Sequence, residues 1–206
     1  LSSVIDISSK STMSKTVKAQ FGINGINADA LIEVPIIEDK LNIIGSFRRS
    51  YNDALQTFTF NQLADKVFES TKINNSDNEN NMFLFLDYNV KLNFKPNKNN
   101  SLYASIISID NQLDYTLNDS ENNRRLNDKL VTSNMGYGLG WRVKWNEKIS
   151  QNTTAFFSDY MLNYNFITRE GGTQVSDFEK RNTIFDSGFS SEVIIDQSKA
   201  TQITFG

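Results

Sequence analysis

Cysteine and histidine are both absent from the 206 residues, and proline occurs only twice. Without those two side chains a Ser-His-Asp triad, a thiol nucleophile, a Cys/His zinc site and an internal disulfide are excluded. An excess of one charge is also missing. The chain carries 21 Lys and Arg against 24 Asp and Glu, a net charge of −3, which argues against a general nucleic-acid binder. Long apolar runs are lacking too. The longest in the middle of the chain is 82–86, far below the ~20 residues of a membrane helix. That excludes helical spans only, because membrane strands alternate and can be polar on average. Hydrophobic residues make up 38%, under the ~45–50% of ordinary globular domains. Aromatic residues reach 12%, too many for a disordered chain.

What is present is alternation with a period of two. In 82–95, Met82, Leu84, Leu86, Tyr88, Val90, Leu92 and Phe94 oppose Phe83, Phe85, Asp87, Asn89, Lys91, Asn93 and Lys95. Side chains alternate across a strand, so one face is apolar throughout and the other turns polar. In 136–145, Tyr137, Leu139, Trp141, Val143 and Trp145 oppose Gly136, Gly138, Gly140, Arg142 and Lys144. A third strand sets Tyr103, Ser105, Ile107, Ile109, Leu113 and Tyr115 against Ala104, Ile106, Ser108, Asp110, Gln112 and Asp114. A fourth sets Phe156, Ser158, Tyr160, Leu162, Tyr164 and Phe166 against Ala155, Phe157, Asp159, Met161, Asn163 and Asn165. The predicted strands run to about ten to fourteen residues, against ~5–6 in soluble sheets and ~9–11 for a bilayer crossing. Trp141, Trp145, Tyr137, Tyr160, Tyr164 and Tyr103 are expected on the aliphatic side, as interfacial aromatic girdles.

The links sort by length. Strands are expected at 18–23, 28–34, 41–51 and from Met82 onward. Links at 35–40, 95–101, 146–150 and 196–200 read as short, and those at 52–81, 116–133 and 168–182 as long and polar. Short and long links alternate, as in a transmembrane barrel with turns on one rim and loops on the other. Pro35, Pro96, Glu147 and Gln197 are expected on one rim, and Asn78, Glu121 and Gly172 on the opposite one. Within 52–81, Asn61 is a candidate cap for a short helix carrying Leu63, Val67 and Phe68. The chain opens on a strand-like segment without an initiator Met and stops at Gly206 inside a strand pattern, which reads either as a fragment or as something other than a complete barrel.

Little in the sequence points to covalent chemistry. Asp77-Asn78-Glu79 lacks the Gly and distal Glu of an EF-hand loop, and solvated loop is the default there. Gly136, Gly138 and Gly140 sit within a strand and not at a strand-to-helix turn, so they are no phosphate cradle. Their expected role is to leave room inside a barrel. Asp110, Asp114 and Asp159 read as part of an aqueous wall bonded to Arg48, Arg142 or Lys144, ahead of a carboxylate pair for hydrolysis.

Several segments resemble TonB-dependent outer-membrane receptors of the type common in Bacteroidota. Leu1-Ser2-Ser3-Val4-Ile5-Asp6-Ile7 resembles the end of their plug domain, and Leu31-Ile32-Glu33-Val34-Pro35 their first periplasmic turn. Ser46-Phe47-Arg48-Arg49-Ser50-Tyr51 is similar to their third strand, 88–97 to their fourth, and Leu139-Gly140-Trp141-Arg142-Val143-Lys144-Trp145 to their sixth. The resemblance implies a roughly 22-stranded up-and-down transmembrane β-barrel filled by an N-terminal plug. Residues 1–9 would be the last plug strand, and 10–206 the first eight or nine barrel strands. It implies an importer in the outer membrane, not an enzyme and without a cofactor, that takes up a scarce ligand such as an iron chelate, cobalamin or a glycan. Implied partners are outer-membrane lipid, the rest of the barrel and plug, the TonB complex and the imported ligand, with no nucleic acid. Arg48, Asp87, Lys91, Asp110, Asp114, Arg142 and Asp159 would line the lumen or contact the plug. Two other readings stay open at this point: a complete eight-stranded barrel with a structural or adhesin role, and a secreted soluble β-sandwich.

Overall fold

The computed structural model describes residues 13–52, 55, 57–59, 62, 76–78, 82–119, 121–198 and 201–206. Ten strands form a single antiparallel sheet: β1 (Lys18–Ile23), β2 (Asn27–Ile37), β3 (Leu41–Ser50), β4 (Ser76–Asn78), β5 (Met82–Asn97), β6 (Asn100–Asp119), β7 (Arg124–Lys144), β8 (Ile149–Glu170), β9 (Thr173–Ser198) and β10 (Thr201–Phe205). Nine follow one another in chain order, β1-β2-β3-β5-β6-β7-β8-β9-β10. The tenth, β4, prolongs the line of β5 along β6, with Asn78 opposite Leu117 and Met82 opposite Asp114. The sheet is open, with β1 and β10 as its two edges. Helix among the described residues is confined to Phe58, Thr59 and Gln62, and the expected helix at Asn61, Leu63, Val67 and Phe68 falls outside them, as do residues 1–9.

Asparagine and glycine make the turns. At Asn24 the side-chain Oδ1 accepts from the backbone N–H of Ile26 and Asn27, at 2.9 and 3.0 Å. Asn146 does the same for Lys148 and Ile149, at 2.8 and 2.9 Å. These are Asx turns, in which a short side chain replaces the backbone acceptor. The β8–β9 hairpin closes on Gly171 and Gly172, whose φ angles of 56° and 83° put both residues where L side chains are strained. Two positive-φ residues give the backbone twist that tight hairpins prefer.

Two expected loops are strands. Residues 116–133 belong to β6, a three-residue turn at 121–123 and β7, and 168–182 belong to β8, the Gly171-Gly172 turn and β9. Their hydrophilic composition suggested solvated loop, but Leu117, Leu126 and Leu130 keep the period of two. Side-chain bonds also run across the strands there. Asn127 Nδ2 donates to Thr116 Oγ1 at 2.8 Å, and the Tyr164 hydroxyl to Asp128 Oδ1 at 2.6 Å. Strands therefore reach 20, 21, 22 and 26 residues from β6 to β9, and 26 residues extend over about 85 Å.

The turns do sort by end. Pro35, Pro96, Glu147 and Gln197 lie toward one end of the sheet, and Asn78, Glu121 and Gly172 toward the other. Among the described residues each strand contacts only its neighbours in this sheet, and no second layer of described residues faces it. Buried apolar side chains among the described residues are few: Ile44, Tyr115, Leu117 and Val143. The accessible surface is 14192 Å², well above the roughly 10,000 Å² of a folded soluble monomer of this mass.

Candidate functional site

Residues directly opposite in an antiparallel pair share a face, so the register assigns every side chain to one of two sides. Starting from β7, the tryptophan face runs through Leu139 to Ala104 on β6 and Leu92 on β5, then Ile43 and Val34. In the other direction it passes through Ala155 on β8 to Phe189 on β9. Toward the short-turn end this face is mostly apolar and open to the surroundings, with Asn100, Gln151, Thr153 and Ser191 as a polar border at its last rows. Leu139 is 58% exposed, Phe189 74% and Phe21 84%. Along β7 the apolar stretch from Met135 to Val143 measures about 27 Å at ~3.3 Å per residue.

The glycine face is polar over the same stretch. Arg48 and Asp87 sit opposite each other on β3 and β5 and form an ion pair, with Arg48 Nε donating to Asp87 Oδ2 at 2.7 Å. The guanidinium also lies 5.0 Å from the centre of the Phe85 ring. Lys91 is 5% exposed, and its Nζ lies 4.8 Å from the Tyr103 ring centroid. That ring in turn lies over Gly140, where an added Cβ would overlap it. At Gly138 a Cβ would come within 2.8 Å of Ser105 Oγ, and at Gly136 within 2.9 Å of Ile107. The glycines were expected to leave room for something inside the barrel; in this sheet the side chains of Tyr103, Ser105 and Ile107 on β6 lie against them. Glu33, 1% exposed, accepts from Asn42 Nδ2 at 3.2 Å on the same face.

The register divides the seven residues singled out from the sequence. Arg48, Asp87, Lys91 and Arg142 share the glycine face. Asp110, Asp114 and Asp159 lie on the tryptophan face, opposite Ser133, Lys129 and Met135 respectively. Asp110 accepts from Ser133 Oγ at 2.6 Å and from Ser108 Oγ at 3.3 Å. Tyr103, Tyr160 and Tyr164 also change sides: they stand on the glycine face, opposite Gly140, Asn134 and Leu130.

For Asp110, Asp114, Asp159, Tyr160 and Tyr164 the cause is a reversal of polarity along the sheet; Tyr103 lies short of it and stands among the glycines of the polar face. Beyond the row formed by Ser108, Met135, Asp159 and Phe185, the tryptophan face carries Asp110, Asp114, Lys129, Asn163, Asn165, Glu179 and Arg181. There the glycine face carries Leu113, Leu117, Leu126, Leu130, Leu162, Tyr164 and Phe166 instead. Sequence reading assigned each strand one apolar side. β6, β7 and β8 each have two, one in each half, whereas β5 keeps Met82, Leu84 and Leu86 on the tryptophan face.

At the short-turn end the apolar belt closes on Trp141 and Trp145, packed edge to face with centroids 5.9 Å apart. Their indole N–H groups donate to Asn100 Oδ1 at 3.0 Å and Gln151 Oε1 at 3.1 Å. At the far end, Asp119 accepts from the N–H and side-chain amide of Asn122, at 3.2 and 2.8 Å. These hydrogen bonds hold its carboxyl below the usual carboxylate range, with the Arg124 charge adding to the effect. Among the described residues no group of three Asp or Glu side chains is placed to hold a metal ion. No helix of the described residues is long and apolar enough to cross a membrane. No family model, curated protein or solved structure matches this chain.

Proposed function

We propose that this chain forms part of the wall of a transmembrane β-barrel in a bacterial outer membrane, within a TonB-dependent importer. One observation carries the membrane part: the exposed apolar band on the tryptophan face, bounded by Trp141 and Trp145 at one end and by Asp159 and Asp110 at the other. An apolar band of about 25 Å flanked by aromatics is what lipid requires of a barrel's outside. The polar glycine face then turns inward, and Arg48, Asp87, Lys91 and Arg142 line the lumen or meet the plug. Beyond the band the strands stand clear of lipid, so their outer side becomes polar. Nine strands in an open sheet suit a wide barrel completed by further strands, and count against the closed eight-stranded alternative. The importer part rests on the resemblance of residues 31–35, 46–51 and 139–145 to that family. The ligand stays unassigned.

The absence of native cysteine makes the test direct. Single cysteines at Leu139, Val90 and Phe189 carry spin labels in the protein reconstituted into vesicles. The expected result is relaxation by oxygen, which partitions into lipid, and shielding from a water-soluble nickel chelate. Labels at Asn163 and Glu179 should show the reverse. Chelate access at Leu139 equal to that at Glu179 overturns the membrane reading. The importer reading is checked separately, by loss of uptake of a bound ligand when the TonB complex is removed.

A further inference from the structure

Asn24-Gly25 is the only Asn-Gly pair in the 206 residues, and it lies in the turn between β1 and β2. Asn24 is exposed, and its side-chain Oδ1 accepts from the N–H groups of Ile26 and Asn27, at 2.9 and 3.0 Å. Two donors on one oxygen draw charge from Cγ. They also stabilise the negative charge that this oxygen gains when a nucleophile adds to the carbon. The adjoining nucleophile is the backbone nitrogen of Gly25. Its N–H donates to no described residue, and no side chain at that position bars its approach. The main chain is held on both sides of it. The Tyr51 hydroxyl donates to the Asn24 carbonyl, and the Thr57 hydroxyl to the Gly25 carbonyl. A counterpart at the other end of the sheet differs in one respect. Asn146 Oδ1 accepts from Lys148 and Ile149 in the same way, at 2.8 and 2.9 Å, but the next residue is Glu147, whose side chain hinders the approach.

We propose that the β1–β2 turn is a site of self-modification, at which Asn24 loses its amide and becomes an acid. Hydroxide takes the Gly25 N–H proton, the nitrogen bonds to Asn24 Cγ, and the Cγ–Nδ2 bond breaks. Nδ2 leaves as ammonia with a proton from water, which regenerates the hydroxide and leaves a cyclic imide. Water then opens the ring at Cγ to give aspartate, or at the Asn24 backbone carbonyl to give isoaspartate. In sum, water is consumed and ammonia released. The aspartate product still accepts from both N–H groups, now as a charged acceptor. The isoaspartate product routes the main chain through Cβ and Cγ and lengthens the turn. Either product places a new negative charge at the end of the sheet opposite the short turns. The proposal does not depend on the membrane reading.

The test incubates the folded protein in heavy-oxygen water at pH 7 and at pH 8, then digests it in ordinary water. Mass spectrometry reads the peptides that hold Asn24 and Asn146, and the heavy label marks conversion that preceded digestion. The Asn24 peptide is expected to gain an acid with one labelled oxygen, about tenfold faster at pH 8 than at pH 7, because hydroxide is the base. Asn146 is expected to keep its amide. Glu147→Gly should speed conversion at Asn146 by about tenfold or more, since the approach of the next nitrogen is then open. An Asn24 that stays an amide in the folded protein overturns the proposal, and conversion in urea alone would show that the turn guards the bond. Equal rates at Asn24 and Asn146 in the unaltered protein also overturn it, as does an Asn146 left intact by Glu147→Gly.

Discussion

A missing Cβ at Gly140 is what lets Tyr103 lie flat across β7 and Lys91 sit over the ring. Gly140→Ala should therefore cost about 1–3 kcal/mol by overpacking, measured by urea unfolding of the protein in detergent. Adding Tyr103→Ala should recover part of that loss, since the two changes meet at one contact and are not additive. Equal losses with and without the tyrosine would show that the ring does not fill that space. Asp119 gives a prediction in pH. Its carboxyl is held below the ordinary value by the Asn122 hydrogen bonds. A depressed carboxylate stabilises the fold above its unfolded pKa, about 4, and that contribution is lost as pH falls through the lower folded value. Hydrogen exchange at the Asn122 amide, corrected for intrinsic rate, should thus be faster at pH 3 than at pH 5. Asp119→Asn should remove the difference.

Among the elements, the β8–β9 hairpin depends on its two-residue turn. Gly171 and Gly172 both have positive φ, and Gly171 N–H also donates to the Asn123 carbonyl at 2.9 Å, tying this tip to the neighbouring β6–β7 tip. A left-handed conformation costs an ordinary L residue roughly 1–2 kcal/mol. Gly171→Val/Gly172→Val should raise amide exchange in the last pairs before the turn, Thr168 to Glu170 against Thr173 to Ser176, while leaving the β7–β8 pairs near Leu139 protected. Gly171→Asn should be tolerated, because Asn enters this region readily. Uniform exchange across both regions in the valine variant would mean that the tip is not what orders the far half of β8 and β9.

For the molecule as a whole, the proposed placement of one face in lipid, with a reversal beyond it, predicts that position along a strand matters as much as side. Leu139→Arg places a charge in the apolar band and should weaken folding into vesicles by about 2–4 kcal/mol. Gln112→Arg, on the same face but past the reversal, should change it by less than about 0.5 kcal/mol. Titrating refolding with urea in the presence of vesicles measures both. Similar penalties at the two positions would contradict the band. The Arg48–Asp87 pair is half exposed on its arginine side, so Asp87→Asn should cost under about 1 kcal/mol and serves as the control for a polar change on the other face.

The sequence by itself determined where the first strands begin and that successive strands run antiparallel, though it read the far halves of β6 to β9 as loops. Period-two alternation placed β1, β3 and the start of β5 at Lys18, Leu41 and Met82, and the turn residues fixed which strand ends meet. It also determined that Arg48, Asp87, Lys91 and Arg142 lie away from Leu139 and Trp141, because each is in phase with the polar side of its own strand. The tertiary structure alone decided the rest. Alternation is a local signal that carries no reference between strands, so it could not show that Tyr103 pairs with Gly140 or Asp110 with Ser133. Once the apolar side reverses within a strand, a polar residue past the reversal belongs to the face that was apolar before it. Only the hydrogen-bonded register, which carries one face across neighbouring strands, reveals that Asp110, Asp114 and Asp159 stand on the side of the tryptophans.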